Sequence, residues 1–215
     1  EEQTNVFFRK YDDEEITEKL GMPLAELRGK IFNAKAKVFE YRAQRIRPGL
    51  DNKILASWNG MMLKAYTDAY RAFDEKEFLD IAIVNASFIL NNLTQNGKLI
   101  RVYKASPQPL SEREGLLISE AMPPEGRGEA FLDDYALIID ALTGLYEATF
   151  EERWLLQARA FTNHVIADFY DSDNAMFFYT SLKGEQLIAR KQEIMDNVMP
   201  GSNSVMAHNL YKLGH

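Results

Sequence analysis

The sequence predicts an all-α protein of antiparallel helical hairpins, with short β-hairpins carried in the long loops between them. Three observations lead there. Long segments place apolar residues at three- and four-residue steps, the period of a helix face. Gly and Pro clusters cut those segments at intervals. One helix–link–helix unit also occurs twice: residues 70–82 align with residues 146–158 at a constant offset of 76 (146 − 70). Tyr70 and Tyr146, Ala72 and Ala148, Glu75 and Glu151, Phe78-Leu79 and Trp154-Leu155, and Ala82 and Ala158 all coincide. A helical-hairpin repeat buries its faces by stacking on its neighbours.

Taken in order, residues 11–20 read as a short helix begun by acidic residues and ended by Gly21-Met-Pro23. Residues 24–45 form a long helix with Leu24, Leu27, Ile31, Ala34 and Val38 on its apolar side, broken by Arg47-Pro-Gly49. A second long helix runs from about 52 to 73, Asp74-Glu-Lys76 links it, and a third covers about 77–93. Leu99-Ile-Arg-Val-Tyr103 alternates like a strand, and Leu116-Leu-Ile118 is its expected return strand. Helices resume at about 130–149 and 152–169. Met176-Phe-Phe-Tyr-Thr180 and residues 186–190 suggest a hairpin around Lys183-Gly184, and a last helix begins near Ser202.

Composition narrows the function classes. The 215 residues are 46% hydrophobic and 27% charged, as in a globular protein that buries a sizeable core. A net charge of −7 argues against nucleic acid as a partner, since phosphate binding needs a basic patch. No apolar run is long enough to span a membrane and no signal peptide is visible, although the chain starts at Glu1 rather than Met. Without cysteine there is no disulfide and no thiolate site, which sets the expectation of a cytoplasmic protein. The sequons at Asn85 and Asn92 lie in a helical segment and read as chance matches. The histidines His164, His208 and His215 have no metal-ligand spacing and read as packed or surface residues. No nucleotide-binding or hydrolase motif is present, so no cofactor or metal is expected.

The repeat sets the tight acidic links at one end of the stack and the long loops at the other. Helices starting near Asn52, Ala130 and Ser202 then point their N-termini toward the long-loop end, where a scaffold usually carries function. Four clusters gather there: Arg47, Asp51, Lys53, Trp58 and Asn59; Arg101 with Tyr103; Asp133-Asp134-Tyr135; and Arg190, Asp196 and Pro200-Gly-Ser-Asn-Ser204. Carboxylates, guanidiniums, amides and aromatic rings are the groups that hold a polyhydroxylated ligand. Each has a plainer reading. Asp51, Asp133, Asp134, Ser202 and Asn203 suit helix caps, Arg101 and Arg190 suit ion pairs, and Trp58 suits core packing.

At these residues the chain resembles a known family. Arg47-Pro-Gly-Leu-Asp51 through Ser57-Trp-Asn-Gly60 to Met62, Leu132-Asp-Asp-Tyr-Ala136, Leu145-Tyr-Glu-Ala-Thr149, the 190–204 segment and Thr4-Asn-Val-Phe7 are similar to the thioredoxin-domain-containing YyaL and spermatogenesis-associated family. The resemblance implies a partial α/α toroid similar to N-acylglucosamine 2-epimerases and six-hairpin glycosidases. It makes residues 1–215 a single domain, the middle segment of a larger toroid, without the thioredoxin-like module and the later hairpins. The family pattern Pro-Ser-Gly-Asn-Ser is Pro200-Gly201-Ser202-Asn203-Ser204 here, so Ser202 is given no chemical role.

The resemblance also implies a sugar-related cavity, with a sugar-like small molecule as partner and an epimerase-like or glycoside-acting chemistry. By residue type and predicted position, Asp51 and Asp134 are the candidate carboxylate pair. Arg47, Lys53, Trp58, Asn59, Arg101, Asp133, Tyr135, Arg190, Asp196 and Asn203 are the candidate binding residues. Two alternatives stand beside it. One is a non-catalytic interaction domain serving a thioredoxin module, and the other is a set of polar clusters that only staple the hairpins. An incomplete ring also exposes an edge through which two copies would pair.

Overall fold

A computed structural model of the chain describes residues 8, 10–49, 51–104, 127–184 and 189–214. These fall in two compact units that divide between Asp51 and Asn52. In the first, helix α1 (Asp13–Leu20) opens on a reciprocal cap. The Asp12 side chain accepts the Glu15 N–H at 2.8 Å, and the Glu15 carboxylate accepts the Asp12 N–H at 3.2 Å. Gly21, at φ 62°, supplies the left-handed residue that ends the helix. Helix α2 (Leu24–Ala43) follows, rich in strong helix formers, and Arg28 pairs with Asp13 at 3.1 Å. Among its apolar positions only Leu27 is buried; Phe32, Val38, Phe39 and Tyr41 are exposed.

The second unit runs β1 (Lys53–Leu55), α3 (Ala56–Phe73), α4 (Lys76–Asn92), β2 (Thr94–Gln95), β3 (Lys98–Lys104), β4 (Arg127–Glu129), α5 (Leu132–Thr149), α6 (Glu152–Phe169), β5 (Tyr170–Asp171), β6 (Met176–Phe177) and α7 (Ser202–Leu213). Helix α5 packs against α3, α6 and α7, and thirteen of its 18 residues are buried. A helix buried around most of its circumference belongs at the middle of a stack, and α5 is there. Two expectations are corrected. The helix predicted from residue 52 begins at Ala56, because Lys53–Leu55 pairs with β3 instead, Ile54 opposite Tyr103. The hairpin predicted around Lys183-Gly184 is not formed by Met176–Phe177, which pairs backward with Tyr170–Asp171. Leu116-Leu-Ile118 lies outside the described residues, as do residues 185–188. The strand at 98–104 forms as predicted and is joined by β1, β2 and β4, all antiparallel.

The repeat is visible atom by atom. Helices α3 and α5 each end on a left-handed residue, Asp74 at φ 57° and Phe150 at φ 55°, which stand 76 residues apart. The Asp74 N–H donates to the Tyr70 carbonyl at 2.8 Å and the Phe150 N–H to the Tyr146 carbonyl at 2.7 Å. Thr67 and Thr143, equivalent and buried, each donate a hydroxyl to the carbonyl four residues back. Ala82 and Ala158 are equivalent and fully buried in the outer helices. At Gly60 the two inner helices meet: a Cβ there would lie 3.0 Å from Ile138 Cγ1 and 3.1 Å from the α5 backbone.

Two outcomes are expected in thermal unfolding. Gly60→Ala drives a methyl into the α5 backbone and should cost about 1–3 kcal/mol. Phe150→Gly relieves a bulky residue of its left-handed conformation and should stabilise by about 0.5–1 kcal/mol.

Candidate functional site

The first turns of α3 and α5 are joined by one carboxylate. Helix α3 has no side-chain cap of its own, since Leu55 precedes it. Asp134, in the first turn of α5, fills that role from the neighbouring hairpin: its Oδ1 accepts the Ser57 N–H at 2.9 Å. Its Oδ2 accepts the Phe131 N–H at 3.0 Å and an Arg101 Nη1 hydrogen at 3.1 Å. Asp134 is fully buried. Two helix N-termini therefore direct backbone donors at one charge, which their dipoles favour. Burial and the adjacent Asp133 carboxylate push its pKa up to about 6, against the pull of the Phe131 N–H, Arg101 and the Ser57 N–H.

Arg101 comes from β3, where alternation turns it toward α5. It also reaches Asp133 Oδ1 at 3.4 Å, and its guanidinium lies 4.4 Å from the centroid of the Phe131 ring. Tyr179 completes the group. Its ring centre is 5.0 Å from that of Phe131, and its hydroxyl is hydrogen-bonded with Asp133 and Arg101. Burial, then Asp133, raises the pKa of this phenol well above the ordinary tyrosine value, so it stays protonated and able to donate. Arg101 and Tyr179 are half-buried, so this edge of the network meets solvent while Asp134 does not.

The other predicted residues take different places. Tyr135 is fully buried, with its hydroxyl accepting the Leu99 N–H at 3.0 Å and its ring packed on Phe161 and Phe169. It packs α5 against β3 and α6. Asn59 donates to the Leu55 carbonyl at 2.8 Å and fixes the strand-to-helix turn. Asn203, in the first turn of α7, holds both the N–H and the carbonyl of Phe177, at 2.8 and 2.9 Å, and the Glu193 carbonyl at 3.0 Å. Asp196 accepts the Gly201 N–H at 2.7 Å, and Arg190 lies over the Phe178 ring while donating to the Thr180 carbonyl. Trp58 is 61% exposed in the first turn of α3, so the core-packing alternative fails for it. Lys53 is exposed on β1, and Arg47 and Asp51 are exposed in the first unit. Asp51 is not the N-cap residue of α3, a position that Leu55 holds.

Sequence reasoning passed over Phe131 and Tyr179, the aromatic partners of Arg101. It also passed over Asp168, buried on α6, which lies 2.7 Å from Lys183 Nζ and 3.6 Å from both Lys98 and His164. Burial opposes its ionisation, but those three groups hold its pKa below the usual aspartate value. Among the described residues no cluster of three or more metal-binding side chains forms.

The Asp134 bridge is testable by pH and by substitution. Its folded-state pKa is raised, so its contribution to stability is complete below the ordinary value of 3.8 and is lost as pH rises through about 6. A carboxyl-carbon NMR titration should place its midpoint near 6; a midpoint below 4 would contradict the burial argument. Asp134→Ala leaves two N–H groups and part of a guanidinium without an acceptor and should cost about 3–5 kcal/mol.

No protein-family model matches the chain. It is 29% identical to human spermatogenesis-associated protein 20 over 212 residues, which is 97% of this chain and 26% of that protein. It is 30% identical to an uncharacterized Caenorhabditis elegans protein over 211 residues, 97% of this chain and 27% of the relative. The chain thus spans about a quarter of the length of the curated relatives it matches. Among solved structures it is similar to a cellobiose 2-epimerase from Bacillus thermoamylovorans (TM-score 0.56, 15% identity, covering 77% of this chain and 41% of that one). It is also similar to an unsaturated glucuronyl hydrolase from a Bacillus species (TM-score 0.56, 13% identity, covering 79% and 43%). A glycoside hydrolase of family 105 from C. acetobutylicum matches at TM-score 0.55 and 14% identity, covering 93% of this chain and 54% of that one. At such identities the likeness is one of fold, and the fold is a partial α/α toroid of helical hairpins. The resemblance to the spermatogenesis-associated protein 20 family holds over 97% of this chain, with the predicted hairpins in place.

Proposed function

We propose that the shared N-terminal end of α3, α5 and α7 is one wall of a carbohydrate cavity. The domain would bind or transform a sugar in the manner of an epimerase, an isomerase or a glycoside-acting protein. The observation that carries this reading is the half-buried pair Arg101 and Tyr179, a donor fork and a phenol set beside the Phe131 ring, open to solvent on one side and backed by the buried Asp133 carboxylate. Hydroxyl groups of a sugar both donate and accept, and its C–H faces stack on flat rings, so such a group suits it. The exposed indole of Trp58 offers a second stacking face in the first turn of the neighbouring helix. Solved structures of the same fold include proteins named as a cellobiose 2-epimerase, an unsaturated glucuronyl hydrolase and a glycoside hydrolase, which supports the reading.

In this reading Asp134 is a positioning residue. Its oxygens are committed to Ser57, Phe131 and Arg101, and a fully buried carboxylate cannot reach a ligand's proton. Calorimetry of the full chain against a panel of mono- and disaccharides tests the proposal. At least one sugar should bind, and Tyr179→Phe, which removes one hydroxyl and keeps the ring, should weaken it by about tenfold, the worth of one good hydrogen bond. Absence of binding by every sugar would overturn it.

A further inference from the structure

Helix α5 carries Asp140, Gly144 and Glu147 at helical spacing below Asp133, all on one face. On α3 that face is matched at the repeat offset by Lys64, Asp68 and Arg71. Cross-helix contacts confirm the shared surface. Arg71 Nη1 lies 3.0 Å from Glu147 Oε2, and a Cβ at Gly144 would meet Lys64 Cδ at 3.3 Å. From the other side, α7 brings Lys212 to within 3.5 Å of Asp140 and 3.9 Å of Glu147, and His208 to within 3.9 Å of Asp140. Outer helices α4 and α6 pack on the opposite, apolar side. A polar surface therefore runs across three inner helices, beginning at Asp140, about two turns below Asp133 with Ala136 and Leu137 between.

Its charges cancel. Lys64 pairs with Asp68 at 2.5 Å, Arg71 with Glu147, and Lys212 with Asp140: three cations and three carboxylates. At its head, among the described residues, one cation, Arg101, faces both Asp133 and Asp134. A phosphate or carboxylate arriving there would meet cations that already hold carboxylates and a head with anionic excess, and would have to take a cation from its partner. The chain's net charge of −7 adds long-range repulsion. Neutral hydroxyls, in contrast, accept from the cations and donate to the carboxylates without separating them.

Resting on the carbohydrate reading above, we infer that the ligand of this surface is a neutral polyhydroxylated sugar, and that sugar acids and sugar phosphates are rejected by charge. Glucose, glucuronate and glucose 6-phosphate share a ring and differ at one carbon, so their binding to the full chain at pH 7, followed by saturation-transfer NMR and calorimetry, isolates the charge effect. Glucose should bind at least about tenfold more tightly than either anion, a difference one displaced ion pair supplies. Asp140→Asn leaves Lys212, among the described carboxylates, the more distant Glu147 and should narrow that ratio at least about threefold, chiefly by improving the anions. A ladder that merely ties helices would shift the melting temperature and leave the ratio unchanged, which would overturn the inference. Binding of either anion as tightly as glucose would overturn it too, with the carbohydrate reading intact. Silence from all three sugars would overturn the carbohydrate reading and this inference together.

Discussion

The Asp134 carboxylate stands where two helix N-termini and a strand cation meet, and the register of α3, α5 and β3 depends on it. A helix start leaves unpaired N–H groups that a buried end must satisfy. Helix α3 has Leu55 at its N-cap position, with no side chain to accept, and its Ser57 N–H is met by a side chain 77 residues away. That single long-range bond sets the height of α3 against α5. The Phe131 N–H on Oδ2 fixes the first turn of α5, and Arg101 on the same oxygen brings in the sheet. Three elements are tied at one atom group, and none can slide without leaving a buried polar group unpaired.

From that tie the rest of the surface follows. With α3 and α5 in register, Gly60 meets the α5 backbone and Gly144 makes room for the stem of Lys64. The equivalent charges then fall opposite one another, so that Arg71 reaches Glu147 at the same offset of 76 that relates the two hairpins. Helix α7 is held by Asn209, whose amide donates to the Ala136 carbonyl at 2.8 Å, and by Asn203 gripping Phe177. Polar side chains fix the positions of the inner helices while apolar side chains between inner and outer helices supply the bulk of the burial.

Much of this could be read in the sequence because it is local or repeated. The hairpins, the tight links at Asp74 and Phe150, and the orientation of α3, α5 and α7 come from periodicity and from the 76-residue offset. The start of α3 could not be read: residues 53–55 pair with a strand nearly fifty residues on, and their own composition suits a helix as well. The role of Asp134 was hidden for a related reason. A carboxylate at a helix start looks like a cap for its own helix, and only the packed structure shows that it also serves the neighbour. Tyr179 lies in a segment without periodicity, and nothing in its surroundings points to Asp133. The charge ladder, in contrast, was within reach, because applying the repeat offset to Lys64, Asp68 and Arg71 puts them opposite the α5 stripe.

Native-state amide exchange at Ser57 measures the bridge itself. The Ser57 and Phe131 N–H groups should exchange slowly and together in the intact chain, as donors to one buried carboxylate. In Asp134→Ala both should speed up markedly more than the mid-helix amides of α3 and α5. Equal acceleration everywhere, or none at Ser57, would contradict the claim that this carboxylate holds the two hairpins in register.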